Sequence, residues 1–92
     1  MIRSFRDRKT EAFFTGKDVR EFRSIRKALE RKLTYVDNAA VLGDLRALPG
    51  NRLEKLSGDR DGQYSIRVND QWRVCFVWKD DGPHDVEVVD YH

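Results

Sequence analysis

The hydrophobic pattern of this chain changes period once, from helical over the first half to alternating over the second. Val19, Phe22, Ile25, Leu29, Leu33 and Val36 fall within one arc of about 120° on a 3.6-residue wheel, the width of a core-facing stripe. Asp18 is the candidate N-cap of that helix, and Glu21 stands three residues later as in a capping box. Val41, Leu42, Leu45 and Leu48 repeat with helical spacing after a second cap signal, Asp37-Asn38. They stop at Pro49-Gly50, which predicts a second helix packed antiparallel on the first. Upstream, residues 6–15 read as a short helix ended by Gly16, with Phe13 and Phe14 as core residues. Residues 1–5 alternate like a strand that joins the later sheet.

From Arg52 onward the period is two. Leu53 and Leu56 lead into a turn, Gly58-Asp59-Arg60-Asp61-Gly62, whose glycines allow positive φ and whose aspartates bond their own backbone. Tyr64, Ile66 and Val68 then alternate with Ser65 and Arg67, and Asn69-Asp70 supplies the next turn. Trp72, Val74, Phe76 and Trp78 put four large apolar side chains on one face of a single strand, so they belong to the densest part of the core. Lys79-Asp80-Asp81-Gly82-Pro83 marks a further turn, and residues 85–91 form the last strand, with Val86 and Val88 set against Glu87 and Val89. Helices first and a sheet afterwards predict an α+β fold with an antiparallel sheet. The hairpin over residues 58–73 sets Arg67 and Arg73 on neighbouring strands. Two guanidinium groups on one face can grip a phosphate bidentately, or they can be ordinary solvated strand residues.

Composition narrows the class. With 39% hydrophobic and 37% charged residues the chain has apolar material for a core and is not compositionally disordered, and 92 residues suit one domain over 1–92. No apolar run approaches the roughly 18–20 residues of a membrane span, and the charged start lacks a signal-peptide core, so a cytoplasmic location without membrane contact is expected. Cys75 has no second cysteine to pair with and reads as a core thiol.

The net charge of +2 conceals an asymmetry: residues 1–34 hold eleven Lys and Arg against five Asp and Glu, whereas residues 35–92 hold seven against eleven. Arg20, Arg23, Lys27 and Arg31 form a basic stripe beside the apolar one, and Arg26 falls inside the apolar arc, where it must snorkel or find an acid. Such a stripe is either a surface for nucleic acid or a solvated helix face. The terminal Asp90-Tyr91-His92 places a carboxylate, a phenol and an imidazole in succession. Histidine gives or takes a proton near neutrality, so with Arg67 and Arg73 this tail has the parts for metal-free acid–base chemistry on a phosphodiester. A strand-borne tail also points Asp90 and His92 to one side and Tyr91 to the other, and a terminal histidine can equally be a frayed end.

Taken together, Gly58-Asp59-Arg60, Gly62, the run from Ser65 through Val74, Phe76 and the terminal Asp90-Tyr91-His92 resemble the HigB toxins of the RelE superfamily, the GraT-like subgroup most of all. Met1-Ile2-Arg3-Ser4-Phe5 and Pro49-Gly50-Asn51-Arg52-Leu53-Glu54 match as well, so the resemblance spans essentially the whole chain. It implies a small RelE-like microbial-ribonuclease fold, a twisted antiparallel β-sheet with two to three α-helices packed on one side. The implied activity is that of a ribosome-dependent mRNA endonuclease, the toxin of a type II toxin–antitoxin pair. By position, His92, Arg73, Tyr91, Asp90 and Arg67 match the catalytic cluster, with His92 as the acid–base residue and Arg73 on the scissile phosphate. Arg60 and Lys55, with Arg20, Arg23, Lys27 and Arg31, are the expected RNA or ribosome contacts. The implied partners are a HigA-like helix-turn-helix antitoxin, the ribosome and its message, and operator DNA only through the antitoxin; no cofactor and no metal are expected.

Two positions depart from the pattern. Some relatives have a lysine just before the Gly-Asp pair, where Ser57 stands, and some carry a basic residue in the hairpin turn, where this chain has Asn69-Asp70. With fewer cations a milder toxin is expected. A ParE-like gyrase poison, or a ribosome- or RNA-binding factor without enzymatic activity, would have no use for the acid–base tail.

Overall fold

The computed structural model describes residues 1–91 and follows the predicted order, helices and then sheet. Helix α1 (Arg8–Phe14) starts where the Asp7 carboxylate accepts the Thr10 N–H at 3.3 Å. It ends as the sequence predicts: Gly16, at φ 99°, lets its own N–H reach the Phe13 carbonyl and the Lys17 N–H reach that of Ala12, satisfying carbonyls the helix would leave orphaned. Only one of the two phenylalanines is core. Phe13 is buried, whereas Phe14 is 37% exposed and meets the Phe5 ring at 5.5 Å.

The long helix predicted from Asp18 is divided into a 3₁₀ turn, Arg20–Ile25, and helix α2 (Arg26–Asn38). Its apolar stripe buries Phe22, Ile25, Leu29, Leu33 and Val36. The capping box does not form. Asp18 instead receives the Arg23 guanidinium, with Nε at 3.0 Å, and Glu21 pairs with Lys9. Charge-assisted bonds to arginine and lysine outcompete a neutral backbone donor, so the segment starts without a side-chain cap and tightens into i→i+3 bonding. Arg26 lies exposed rather than in the core.

Helix α3 (Leu42–Arg46) is one short turn of the predicted second helix. Asp37-Asn38 does not cap it, because α2 runs on through Asn38 and the Asp37 carboxylate accepts the Ile2 N–H at 2.8 Å. Asp44 starts α3 by accepting from the N–H groups of Ala40 and Val41. Val41 is consequently 58% exposed, while Leu45 is fully buried.

Four strands follow, β1 (Glu54–Lys55), β2 (Gln63–Arg67), β3 (Trp72–Lys79) and β4 (Gly82–Asp90), in a sheet ordered β1-β2-β3-β4 with every neighbour antiparallel. Ile66, Val74, Phe76, Val86 and Val88 form its buried, helix-facing side. Trp72 and Trp78 flank them half-buried, and Trp72 meets Phe22 edge to face at 5.7 Å. β4 begins three residues before the predicted position 85. A register shift between Cys75 and Val77, with Asp85 at φ 52°, accommodates the extra length. Residues 1–5 do not make a regular strand; they run parallel to β4 through a single bridge at Phe5 and Val86. Thr10 ties α1 to the sheet by accepting the Val88 N–H at 3.1 Å in a buried setting.

The connection from α3 to β1 turns on Asn51, which is fully buried. Its Nδ2 donates to the Leu45 carbonyl, its Oδ1 accepts from Lys32 Nζ at 2.6 Å, and its carbonyl accepts the Arg67 N–H at 2.6 Å. The side-chain amide thus joins α2 to α3, and the main-chain carbonyl of the same residue ties both to Arg67. The next residue, Arg52, takes φ 46°, an uncommon conformation for a side-chain-bearing residue, and presents its carbonyl to the other face of the sheet.

Candidate active site

The face of the sheet turned away from the helices carries Ser65 and Arg67 on β2, Arg73 and Cys75 on β3, and Glu87 on β4, with Glu54 on β1 in register with Ser65. Arg73 dominates it. Although an arginine, it is only 8% exposed, and its guanidinium is pinned at fixed points: Nε donates to Ser65 Oγ at 2.8 Å and one Nη to the Arg52 carbonyl at 2.8 Å. The Glu54 carboxylate lies 3.9 Å away, and the Tyr91 ring centroid 5.6 Å from the guanidinium carbon, within cation–π range. The two short hydrogen bonds go to neutral groups and the Glu54 carboxylate, half exposed, stays at the edge of ion-pair range, so an anion on this face still meets much of the positive charge.

Beside Arg73 opens a cleft of about 300 Å³, lined among others by Glu54, Lys55, Ser57, Asp59, Arg60 and Tyr91. Arg60 enters from the 3₁₀ turn Gly58–Arg60 and is held between Gln63 Oε1 at 3.1 Å and Glu87 Oε1 at 3.0 Å. Burial opposes its charge, but the Glu87 hydrogen bond and the neighbouring acidic groups more than offset this, and its pKa rises above the ordinary arginine value. Cys75 is fully enclosed on this face, and burial pushes its thiol up, which leaves it an inert packing group.

Several predicted residues stand apart. Arg67 and Arg73 are direct register partners, as the hairpin pattern requires, yet their guanidinium groups do not converge. Arg73 reaches towards β1, and Arg67 turns to Asp70 in the hairpin loop, Nη2 to Oδ1 at 2.5 Å. Asp90 pairs in register with Trp72, which puts it on the helix-facing side, and accepts from Gln71 Nε2 at 3.1 Å. Tyr91 falls on the Arg73 side, its N–H bonded to the Gln71 carbonyl. His92 lies outside the described residues. Arg20, Arg23, Lys27 and Arg31 are exposed on the 3₁₀ turn and α2, and Arg23 is engaged by Asp18. Two acidic groups of the site escaped the sequence reading, Glu54 lining the cleft and Glu87 holding Arg60. Glu54 sits on a two-residue strand too short to show a period, and Glu87 was read only as the polar half of an alternation.

The same architecture occurs in solved toxin–antitoxin structures. The YoeB-YefM complex from Staphylococcus aureus superposes with a TM-score of 0.61 at 18% identity, covering 100% of this chain and 98% of that one. A heterotetrameric YoeB-YefM toxin-antitoxin complex from the same organism gives 0.59 at 21%, with the same coverage. The fold is therefore that of the small RelE-like toxins. A family model described as RelE-like toxin of type II toxin-antitoxin system HigB matches residues 3–92, and the chain belongs to that HigB-like toxin family. Toxin HigB-1 of Vibrio cholerae is 44% identical over 84 residues, 87% of this chain and 86% of that protein. Endoribonuclease HigB of Proteus vulgaris is 33% identical over 61 residues, 66% and 65% of the two chains.

Proposed function

We propose that this toxin is an mRNA endonuclease that acts on the ribosome, and that Arg73, Arg60, Glu54, Tyr91 and the terminal His92 do the chemistry. The observation that carries the reading is the pinned, nearly buried Arg73, held by the Ser65 hydroxyl and the Arg52 carbonyl with the Glu54 carboxylate at 3.9 Å, set beside an open cleft. The name of the Proteus vulgaris relative supports RNA as the substrate.

In the proposed reaction a ribose 2′-oxygen attacks the adjacent phosphorus and gives up its proton to a base, with the Glu54 carboxylate or the His92 imidazole in that role. Arg73 and Arg60 neutralise the charge that develops on the phosphoryl oxygens, and such preorganised donors contribute about 10²–10³ in rate each. The bond to the 5′-oxygen breaks, an acid protonates it, and a 2′,3′-cyclic phosphate remains. Tyr91 holds the Arg73 guanidinium against its ring and offers a phenol to the leaving side. Asp90 and Arg67 act at the rim, anchoring the tail and the hairpin turn. The basic stripe Arg20, Arg23, Lys27 and Arg31, with Lys55 at the cleft, faces the RNA of the ribosome and its message through shape and charge. A HigA-like antitoxin is the protein partner, operator DNA is met only through it, and the setting is the cytoplasm. Ser57 lines the cleft where some relatives place a lysine, so Ser57→Lys should speed cleavage on the same ribosomes.

Mapping of mRNA 5′ ends on translating ribosomes tests the reading, using wild-type protein, Arg73→Ala and His92→Gln, with folding checked by thermal melts. Cuts inside codons that need the ribosome and disappear in Arg73→Ala support it. Ribosome binding without any cut by wild-type protein would replace it with a binding-only function.

A further inference from the structure

A second cationic site lies where the helical layer meets the hairpin turn. Arg23, Ser24, Arg26 and Lys27 from the 3₁₀ turn and the start of α2 face Asn69 across a groove of about 490 Å³. Among the described residues three of its side chains are cationic and none is acidic. Arg23 is held by Asp18, but Lys27 and Arg26 make no hydrogen bond or salt bridge among the described residues, and Arg26 feels the Asp18 carboxylate only through space. Sequence periodicity assigned Arg26 to the apolar arc; the tertiary structure exposes it on the wall between this groove and the neighbouring one that holds Asp18 and Glu30.

The position of the groove matters more than its charge. The Asn69 side chain caps the hairpin turn by accepting the N–H groups of Gln71 and Trp72 at 2.8 and 2.7 Å. Gln71 in turn holds the tail, through its carbonyl to the Tyr91 N–H and its Nε2 to Asp90. The Phe22 and Trp72 rings lock the 3₁₀ turn to the same end of the sheet. A rigid chain of contacts therefore joins the groove to Tyr91, which stacks on Arg73 in the cleft.

We infer that this groove binds the phosphodiester backbone of RNA as the strand leaves the Arg73 cleft past the β2–β3 turn, with Arg26 and Lys27 as the phosphate ligands and Asn69 as a neutral wall. Guanidinium and ammonium groups set against an amide wall read charge and backbone rather than base, so the contact is independent of sequence. The inference rests on the nuclease reading for its substrate and adds a site to it.

The probe is a single-stranded RNA oligonucleotide methylated at every 2′-hydroxyl, which cannot be cut, titrated into full-length protein over a range of salt. The double variant Arg26→Gln with Lys27→Gln should weaken binding at least fivefold at low salt. It should also lower the slope of log K against log salt by about 1.4, the value for two phosphate contacts to a single strand. Arg46→Gln with Lys79→Gln removes the same charge elsewhere and should leave both quantities within twofold. Binding unchanged in the groove variant, or weakened equally by the control, overturns the site in favour of diffuse charge. Ribosome cleavage assayed in parallel separates the two ideas. If wild-type protein cuts message and the groove variant binds RNA normally, only the groove falls. If nothing is cut but binding still depends on Arg26 and Lys27, the groove stands and the nuclease reading falls.

Discussion

Arg73 and Tyr91 face each other across the end of the sheet, guanidinium carbon to ring centroid 5.6 Å, and among the described residues the close partners of that guanidinium are neutral except Glu54 at 3.9 Å. A buried cation held by a serine hydroxyl, a carbonyl and a π face is prepared for an anion at little cost in reorganisation.

Arg73→Lys keeps the charge but loses the planar fork that spans Ser65 Oγ and the Arg52 carbonyl. Single-turnover cleavage on ribosomes should fall by about 10²–10³. A lysine variant that cuts at the wild-type rate would show that position and not shape is what Arg73 supplies.

Glu87→Gln removes the acid that fixes Arg60. The pair is partly exposed, so after solvent screening the stability loss should be about 1 kcal/mol, while the cleavage rate drops several-fold as Arg60 loses its orientation. Urea denaturation and cleavage kinetics on the same preparation check both. Equal rates with the expected stability loss would reduce Glu87 to a structural residue.

Lys32 is buried against Asn51, and burial, then the nearby Arg31 and Arg67 charges, hold its pKa below the ordinary 10.5. Between the lowered folded value and 10.5 the unfolded chain binds more protons, so this residue makes stability rise with pH over that interval. Lys32→Met should flatten the rise. Urea midpoints measured across the alkaline range for both proteins provide the comparison, and parallel profiles would contradict the assignment.

Gly82 opens β4 at φ 123°, and a Cβ placed there would lie 2.9 Å from the Met1 carbonyl oxygen. Gly82→Ala should therefore cost about 1–3 kcal/mol, from backbone strain and from displacement of the first residues from β4. Chemical denaturation measures the loss; a wild-type midpoint would mean that the segment over residues 1–5 yields freely.

The hairpin and the core stripe were legible because both depend on local repetition. A period of two at Tyr64, Ile66 and Val68, and again from Trp72 to Trp78, leaves few choices of face, and the turns at 58–62 and 69–70 set the register that pairs Arg67 with Arg73. The family resemblance, carried by that hairpin and the terminal tail, reached the fold class and the toxin family by the same residues. Helix starts were not legible. Asp18 and Asp37 have the chemistry of caps, but a distant or charged donor took each of them, Arg23 in one case and the Ile2 N–H in the other.

What the sequence determined by itself, then, was which residues share a face, since alternation and helical spacing are properties of adjacent positions. Only the tertiary structure decided which side chains meet. Glu54 reaches Arg73 because a two-residue strand pairs opposite Ser65, Arg60 is fixed by a glutamate 27 residues away, and Asn51 ties Lys32 to Arg67 across three elements. Those contacts depend on the path of the chain through space, which no spacing along it records.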